Sequence, residues 1–249
     1  MNFSLQRPAI AMIELIFAIV VMGIVMMSAP QLLSTASKSG YVAIQQEGIN
    51  EAATQVNMIL DYAWDENDTN ASLGTVLFVT NGDAELNATL NPNGSLARRA
   101  GTPPESERIF KGTGNLAFNA SIISNSDNGD DPGEDVNNSI DRDDIDDFNG
   151  TSVNLVLDDA TGASDYIEKG AQINIARTVS YMDDNASYNS PAGGTLNFNP
   201  FNNKAGTTNI KHIQVTLTST SRVAELAKTI TLHAFSCNIG TYELKETTP

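Results

Sequence analysis

The sequence is poor in cysteine and in basic residues, and each shortage excludes a class of structure or partner. Its 249 residues include one cysteine, Cys237, so no intramolecular disulfide can form. Hydrophobic packing, or a metal ion, must therefore hold any exported domain together. Lysine and arginine total 14 against 30 acidic residues, which gives a net charge of -16. This balance excludes nucleic acid as an expected partner, because nucleic-acid-binding surfaces concentrate positive charge.

The sequence also contains only two histidines, and they form no pattern typical of a zinc site. His233 and Cys237 fall in one predicted strand about 13 Å apart at ~3.3 Å per residue, too far to share a zinc ion. His212 falls on the neighbouring predicted strand, and we expect no special role for it. The sequence shows no nucleophile motif and no glycine-rich phosphate loop. We therefore predict that the protein is not an enzyme.

A long apolar run near the N-terminus is the most informative feature that is present. Residues 10–29 are apolar apart from Glu14 and one late serine. At ~1.5 Å per residue this run is long enough to cross a bilayer as a helix. An acidic side chain costs ~2.5 to 3.5 kcal/mol at mid-bilayer and less toward the ends. Glu14 therefore requires a partner of opposite charge.

The residues around Glu14 form an N-terminal motif. A basic residue, Arg7, precedes the small residue Ala9, and four apolar residues separate Ala9 from Glu14. The apolar helix then continues from Leu15, with Gly23 and Pro30 in it. This arrangement resembles the signature of the type IV pilin-like family, which comprises the pilins and the pseudopilins of type II secretion. Two positions depart from that signature, since Ala9 replaces the usual glycine and Ile10 the usual phenylalanine.

The resemblance implies a processing and assembly pathway. A prepilin peptidase would remove residues 1–9 by cleaving between Ala9 and Ile10, and the new amino group of Ile10 would be methylated. An inner-membrane assembly platform and other pilin or pseudopilin subunits are the implied partners, with the N-terminus cytoplasmic and the C-terminal domain periplasmic. In a filament, Glu14 of one subunit can pair with the Ile10 amine of its neighbour, because pairing offsets the cost of two charges in an apolar setting.

Two other interpretations of the apolar run are an ordinary single-span anchor and a secretory signal peptide. An ordinary anchor would leave Glu14 without a function. A signal peptide fails on local chemistry, because residues 27–30 lack the small-x-small cleavage pattern.

The rest of the sequence predicts an α+β fold. The helical period continues past Pro30, so we predict one helix over 10–64, with a transmembrane half at 10–33, an amphipathic half at 34–64 and a local kink near Pro30. A coiled-coil dimer is the alternative for the second half. The β-rich domain covers 65–249, with alternating strands at 151–157, 172–181, 209–219 and 228–237. One long helix packed on an antiparallel sheet is also the fold that the resemblance implies.

Smaller features complete the predicted domain. Residues 74–80 read as a strand, and the following Asn81-Gly82 indicates a hairpin. Another short strand is predicted within 110–124. Trp64 is expected to cap the core at the end of the helix. Three arginines make a basic island in the loop 88–111, either as solvated charges or as contacts to an acidic neighbour: Arg98, Arg99 and Arg108.

An acidic segment at 125–149 is the candidate ion site. Ca²⁺ prefers six to eight oxygen ligands on a flexible loop. The segment supplies a surplus of them in Asp127, Asp130, Asp131, Asp135, Asn137, Asp141, Asp143 and Asp144. Their spacing does not match an EF-hand, so a solvated acidic loop is the alternative. No other cofactor is expected.

Together these features predict a structural subunit of a type IV pilus-like filament, a pseudopilin of type II secretion or a minor pilin. The alternative is a membrane-anchored periplasmic protein that binds a cation or a glycan and does not polymerise.

Overall fold

The computed structural model describes residues 7–68, 76–87, 99, 112–113, 116–123, 142–156, 172–184, 199, 201–220 and 227–240. Its elements are α1 (Arg7–Leu60), a 3-10 turn (Glu66–Asp68), β1 (Gly112–Thr113), β2 (Leu116–Ala117), a second 3-10 turn (Asp146–Phe148), β3 (Ser152–Val156), β4 (Gln172–Tyr181), β5 (Ile210–Thr220) and β6 (Thr229–Cys237). Internal contacts divide the chain into two units, Met1–Gly48 and Ile49–Pro249.

The first unit is the N-terminal part of α1. Pro30 lies inside the helix and does not end it. All side chains from 11 to 40 are exposed, including the large apolar residues Phe17, Met26 and Leu32. A helix that is apolar on every side requires burial in a bundle or a membrane. Among the described residues, α1 is the one helix long and apolar enough to cross a bilayer.

The helix ends four residues earlier than predicted, at Leu60 rather than 64. Its last turn tightens, because the amides of Asp61 and Tyr62 donate to the carbonyls of Met58 and Ile59 over three residues. The chain then leaves the helix before Trp64. This early ending frees Trp64 and Asp65 to reach the sheet.

The second unit is built on a four-stranded antiparallel sheet in the order β3-β4-β5-β6. All four strands were predicted from alternation and are confirmed. The predicted pairing of the last two is also confirmed, with Ile213 opposite Ala234 and Val215 opposite Leu232. Alternation locates these strands because one face of the sheet is more covered than the other: β4 and β5 place buried apolar residues on one face, and β6 alternates half-buried with exposed residues.

The buried face of the sheet and the end of α1 supply the core. The buried apolar residues of the described sheet are Ile173, Ile175, Val179, Tyr181, Ile213, Val215 and Leu217. Ala52 and Ile59 of α1 are fully buried. Gln55 of α1 accepts a hydrogen bond of 2.9 Å from Arg177 Nη1 of β4, which ties the helix end to the sheet.

The predicted hairpin after residues 74–80 is wrong. Phe78 makes an isolated parallel bridge with Asn119 rather than a hairpin ladder. The residues that follow Gly82 form a helical turn, in which the amide of Asn87 donates to the Asp83 carbonyl. Gly82 is required for packing, not for a hairpin, since a Cβ there would clash with Val79. The strand predicted within 110–124 is the short antiparallel pair β1-β2.

Candidate functional site

The residues of the predicted processing motif lie on one continuous helix. The backbone of α1 spans Ala9 and Ile10, and Glu14 lies one turn after Ile10, where positions four apart share a face. Glu14 is exposed and sits among exposed apolar side chains. The basic residues of α1 are Arg7 and Lys38 alone, so the apolar segment carries a carboxylate and no cation.

The acidic segment is only partly within the described residues. Six of the eight predicted calcium ligands lie outside them: Asp127, Asp130, Asp131, Asp135, Asn137 and Asp141. Asp143 and Asp144 are described, and Asp144 is buried with 2% of its surface exposed. In the described part of the chain, no three His, Cys, Asp or Glu side chains are arranged to hold a metal ion. Calcium binding therefore stays a prediction.

The end of the acidic segment is not a solvated loop. Asp144, Asp146 and Asp147 are each at most 3% exposed, and they form a compact turn. Asp144 Oδ1 accepts from the amides of Asp146 (2.6 Å) and Asp147 (3.2 Å). Asp147 Oδ2 in return accepts from the amides of Asp143 and Asp144. The aspartates thus cap each other's backbone groups, as Asp does in turns.

This turn places Asp146 next to a buried lysine on β5. Lys211 is completely buried, and its Nζ donates to Asp146 Oδ2 at 2.8 Å. The same Nζ donates to the Trp64 carbonyl at 2.6 Å and lies 3.4 Å from Asp65 Oδ2. We call Lys211, Asp65, Asp144 and Asp146 the buried lysine cluster.

Aromatic rings and hydrogen bonds fix the cluster from the other sides. Lys211 Nζ lies 4.4 Å from the centre of the Trp64 ring and 5.3 Å from that of Tyr181. Asp65 Oδ2 accepts from the amide and the hydroxyl of Ser121, at 2.9 and 3.0 Å. The ammonium group is therefore enclosed by two carboxylates, a carbonyl and two ring faces. The expectation that Trp64 caps the core is confirmed, since it packs against the buried cluster of Leu77, Val79 and Ala120.

Burial and charge crowding shift the pKa values in this cluster. Burial, reinforced by Asp146, raises the pKa of Asp144 to about 8. Burial raises the pKa of Asp146 to about 6, although Lys211 pulls it down. Burial alone would lower the pKa of Lys211, but the carboxylates of Asp146, Asp65 and Asp144 together raise it. The cluster thus holds one ammonium, and the Asp144 carboxyl retains its proton near neutrality.

Sequence reasoning missed this cluster, although one signal was present. Lys211 has the same strand phase as Ile213, Val215 and Leu217, so alternation places it on the buried face. A lysine in that phase requires buried carboxylates near it. Nothing local identifies them, because Asp65 and Asp146 are distant in the chain.

Arg99 is the one residue of the basic island that the structure describes, and the prediction of a solvated charge is wrong for it. Arg99 is 8% exposed rather than solvated. Its Nη1 donates to the Asn238 carbonyl at 2.6 Å, and its Nη2 donates to Asn209 Oδ1 at 2.7 Å. It therefore joins the segment before β5 to the segment after β6. Arg98 and Arg108 lie outside the described residues.

An open cleft of about 400 Å³ lies beside β4. Its lining combines apolar residues, among them Ile122 and Val179, with the polar residues Asn149, Asn203 and Lys204.

Comparisons of the chain with protein-family models, with curated proteins and with solved structures find no match.

Proposed function

We propose that this chain is a structural subunit of a type IV pilus-like filament, either a pseudopilin of a secretion machine or a minor pilin. The observation that carries the proposal is the exposed apolar part of α1 with a single carboxylate, Glu14, in it. An apolar rod of this kind needs lipid or other copies of itself around it. The α+β layout, with a sheet domain after the helix, supports the same assignment.

The proposed mechanism is charge pairing between subunits. Cleavage after Ala9 creates an ammonium group at Ile10, on the same helix face as Glu14 and one turn before it. In a staggered bundle the Ile10 amine of one copy meets the Glu14 carboxylate of the next. Each charge alone in an apolar bundle is strongly unfavourable, whereas the pair offsets part of that cost. The pair would therefore set the register between subunits.

The experiment compares Glu14→Gln with Glu47→Gln in cells that assemble the filament. Both substitutions remove one negative charge from an exposed position on α1, but Glu47 lies beyond the apolar segment. An unpaired amine in the bundle costs ~3 to 5 kcal/mol, so Glu14→Gln should lower incorporation at least about tenfold. Glu47→Gln should assemble like the wild type. Normal incorporation of the Glu14→Gln variant would contradict the mechanism.

A membrane-anchored binding protein is the second candidate, and the cleft beside β4 is the observation that favours it. The mature N-terminus separates the two. A filament subunit should begin at Ile10 and carry a methylated amine, which mass spectrometry of the purified protein measures. Recovery of the chain with Met1 and residues 2–9 intact would favour the anchor.

A further inference from the structure

We propose that Lys211 and Asp146 condense to form an intramolecular amide cross-link. The bond would join β5 to the 3-10 turn before β3 in a chain that has no disulfide. It would be a covalent modification of the second unit, independent of the filament assignment. Three features carry the inference: the approach of the two groups, their enclosure, and a third carboxylate beside them.

The reacting groups already lie next to each other. Lys211 Nζ is 2.8 Å from Asp146 Oδ2, and the two side chains are 0% and 4% exposed. Backbone hydrogen bonds hold Lys211 in β5, opposite Tyr181 of β4 and Ser236 of β6. Asp146 is held in the turn by its amide's bond to Asp144. Such fixed proximity replaces an encounter between two molecules by a reaction within one, which greatly raises the effective concentration.

The reaction needs the neutral amine and the neutral acid, which exchange with the ion pair across one short hydrogen bond. An amine attacks a carboxylic acid only when neither carries its charge. Burial penalises both charges, although the neighbouring carboxylates and the rings of Trp64 and Tyr181 keep the ammonium form of Lys211 dominant, so the neutral pair is the minor, reactive form. Asp146 Oδ1 is also buried and accepts no hydrogen bond, so nothing on that side stabilises the carboxylate. Transfer of one proton along the 2.8 Å hydrogen bond then gives the amine and the acid.

The chemical step is balanced without an oxidant or a cofactor. The Nζ lone pair attacks Asp146 Cγ, a C–N bond forms, and the bond from Cγ to Oδ2 breaks. Oδ2 leaves as water with two protons, both of which come from the ammonium group. The first moves directly from Nζ to Oδ2, and the second passes through a neighbouring carboxylate. The side chains end as one neutral amide, so two buried charges disappear.

Asp65 is placed to carry the second proton. Its Oδ2 lies 3.4 Å from Nζ, close enough to take the proton as the C–N bond forms. Ser121 holds that oxygen with two hydrogen bonds, and Tyr181 OH lies 3.5 Å from it. Asp65 therefore has a fixed position relative to Nζ.

The test is the intact mass of the full chain, purified under denaturing conditions, followed by peptide mapping. The sequence mass used for comparison is that of the residues present after any N-terminal cleavage, including any N-methyl group. Wild-type protein should be lighter than its sequence by one water molecule. A digest should contain a branched peptide that joins the Lys211 segment to the Asp146 segment. A wild-type mass equal to the sequence mass, or a branch at Asp65 instead of Asp146, would overturn the proposal.

Two variants exclude other sources of water loss. Lys211→Arg keeps the positive charge but cannot form the amide, so its mass should equal the sequence mass. Asp65→Asn leaves both reacting side chains in place and removes the proton carrier. It should also retain the full mass, with Lys211 and Asp146 on separate peptides. A branched peptide in Asp65→Asn would overturn the role of Asp65, and water loss in Lys211→Arg would overturn the Lys211 assignment.

Discussion

His212 Nε2 and His233 Nδ1 are 2.8 Å apart and join β5 to β6 on the face of the sheet opposite the core. The ring centres are 5.0 Å apart and the planes differ by 12°, so the rings meet edge to edge. One nitrogen donates and the other accepts, which requires that at least one ring is neutral. Phe201 lies against both rings, at 5.9 and 5.6 Å between centres. Sequence reasoning expected no special role for His212 and did not anticipate this contact.

This pairing predicts a loss of stability in mild acid. Burial, and then the charge of His233, lowers the pKa of His212 below its ordinary value of 6.5. The folded state therefore binds fewer protons than the unfolded state, and His212 reduces stability as the pH falls below about 6.5. Thermal unfolding between pH 8 and pH 5 should show a larger decrease for the wild type than for His212→Gln. Equal decreases in the two proteins would contradict the prediction.

The carboxyl groups of the buried lysine cluster predict the opposite pH dependence from that of His212, a stability that decreases as the pH rises. Burial, reinforced by Asp146, raises the pKa of Asp144 from 3.8 to about 8. The folded state then binds the extra proton, so the contribution of Asp144 is fully present below about pH 4 and is lost as the pH rises toward 8. Each unit of the pKa difference is worth about 1.4 kcal/mol.

The variant Asp144→Asn tests this trend. The amide oxygen can still accept from the two turn amides, but it does not ionise. The melting temperature of this variant should depend less on pH between 4 and 8 than that of the wild type. Asp61→Asn, at an exposed position just after α1, is the matched control and should follow the wild type. A wild-type pH dependence in Asp144→Asn would refute the assignment.

Two basic side chains should differ in their contribution to stability. Arg99 is buried and makes two charged hydrogen bonds, to Asn238 and Asn209. Lys204 is partly exposed, 3.7 Å from Asp183. Denaturant unfolding should show that Arg99→Ala costs ~2 to 5 kcal/mol, because buried partners lose their donors. Lys204→Ala should cost less than about 1 kcal/mol, as exposed ion pairs usually do. Similar costs for the two would contradict the structural assignment.

The regular elements could be predicted from sequence because their signals are local. An apolar run identified α1, and alternation identified β3 to β6. The pairing of β5 with β6 followed from matching their apolar positions. The predicted end of α1 was four residues too late. The tightened turn at Asp61 and Tyr62 depends on the path of the residues that follow the helix, which local sequence does not indicate.

The buried lysine cluster could not be predicted, because its members meet only through the tertiary fold. Asp65 follows the helix, Asp146 ends the acidic segment, and Lys211 lies on β5. The segment around Asp146 is so polar that composition alone indicates exposure. The hairpin prediction at Asn81-Gly82 was wrong for a related reason. The amide of Asn81 donates a hydrogen bond to the carbonyl of Thr207, which is distant in the chain, rather than to a residue within a hairpin.

Cys237, an exposed residue whose sulfur is partly covered, lies at the end of β6 and has a practical consequence. Because the chain contains one cysteine, a maleimide dye or a spin label would attach at a single defined place. Burial raises the pKa of this thiol, so labelling should be slow at neutral pH and faster in mildly alkaline buffer. A probe there would lie two residues from Phe235, next to the histidine pair, and could report on that surface in living cells.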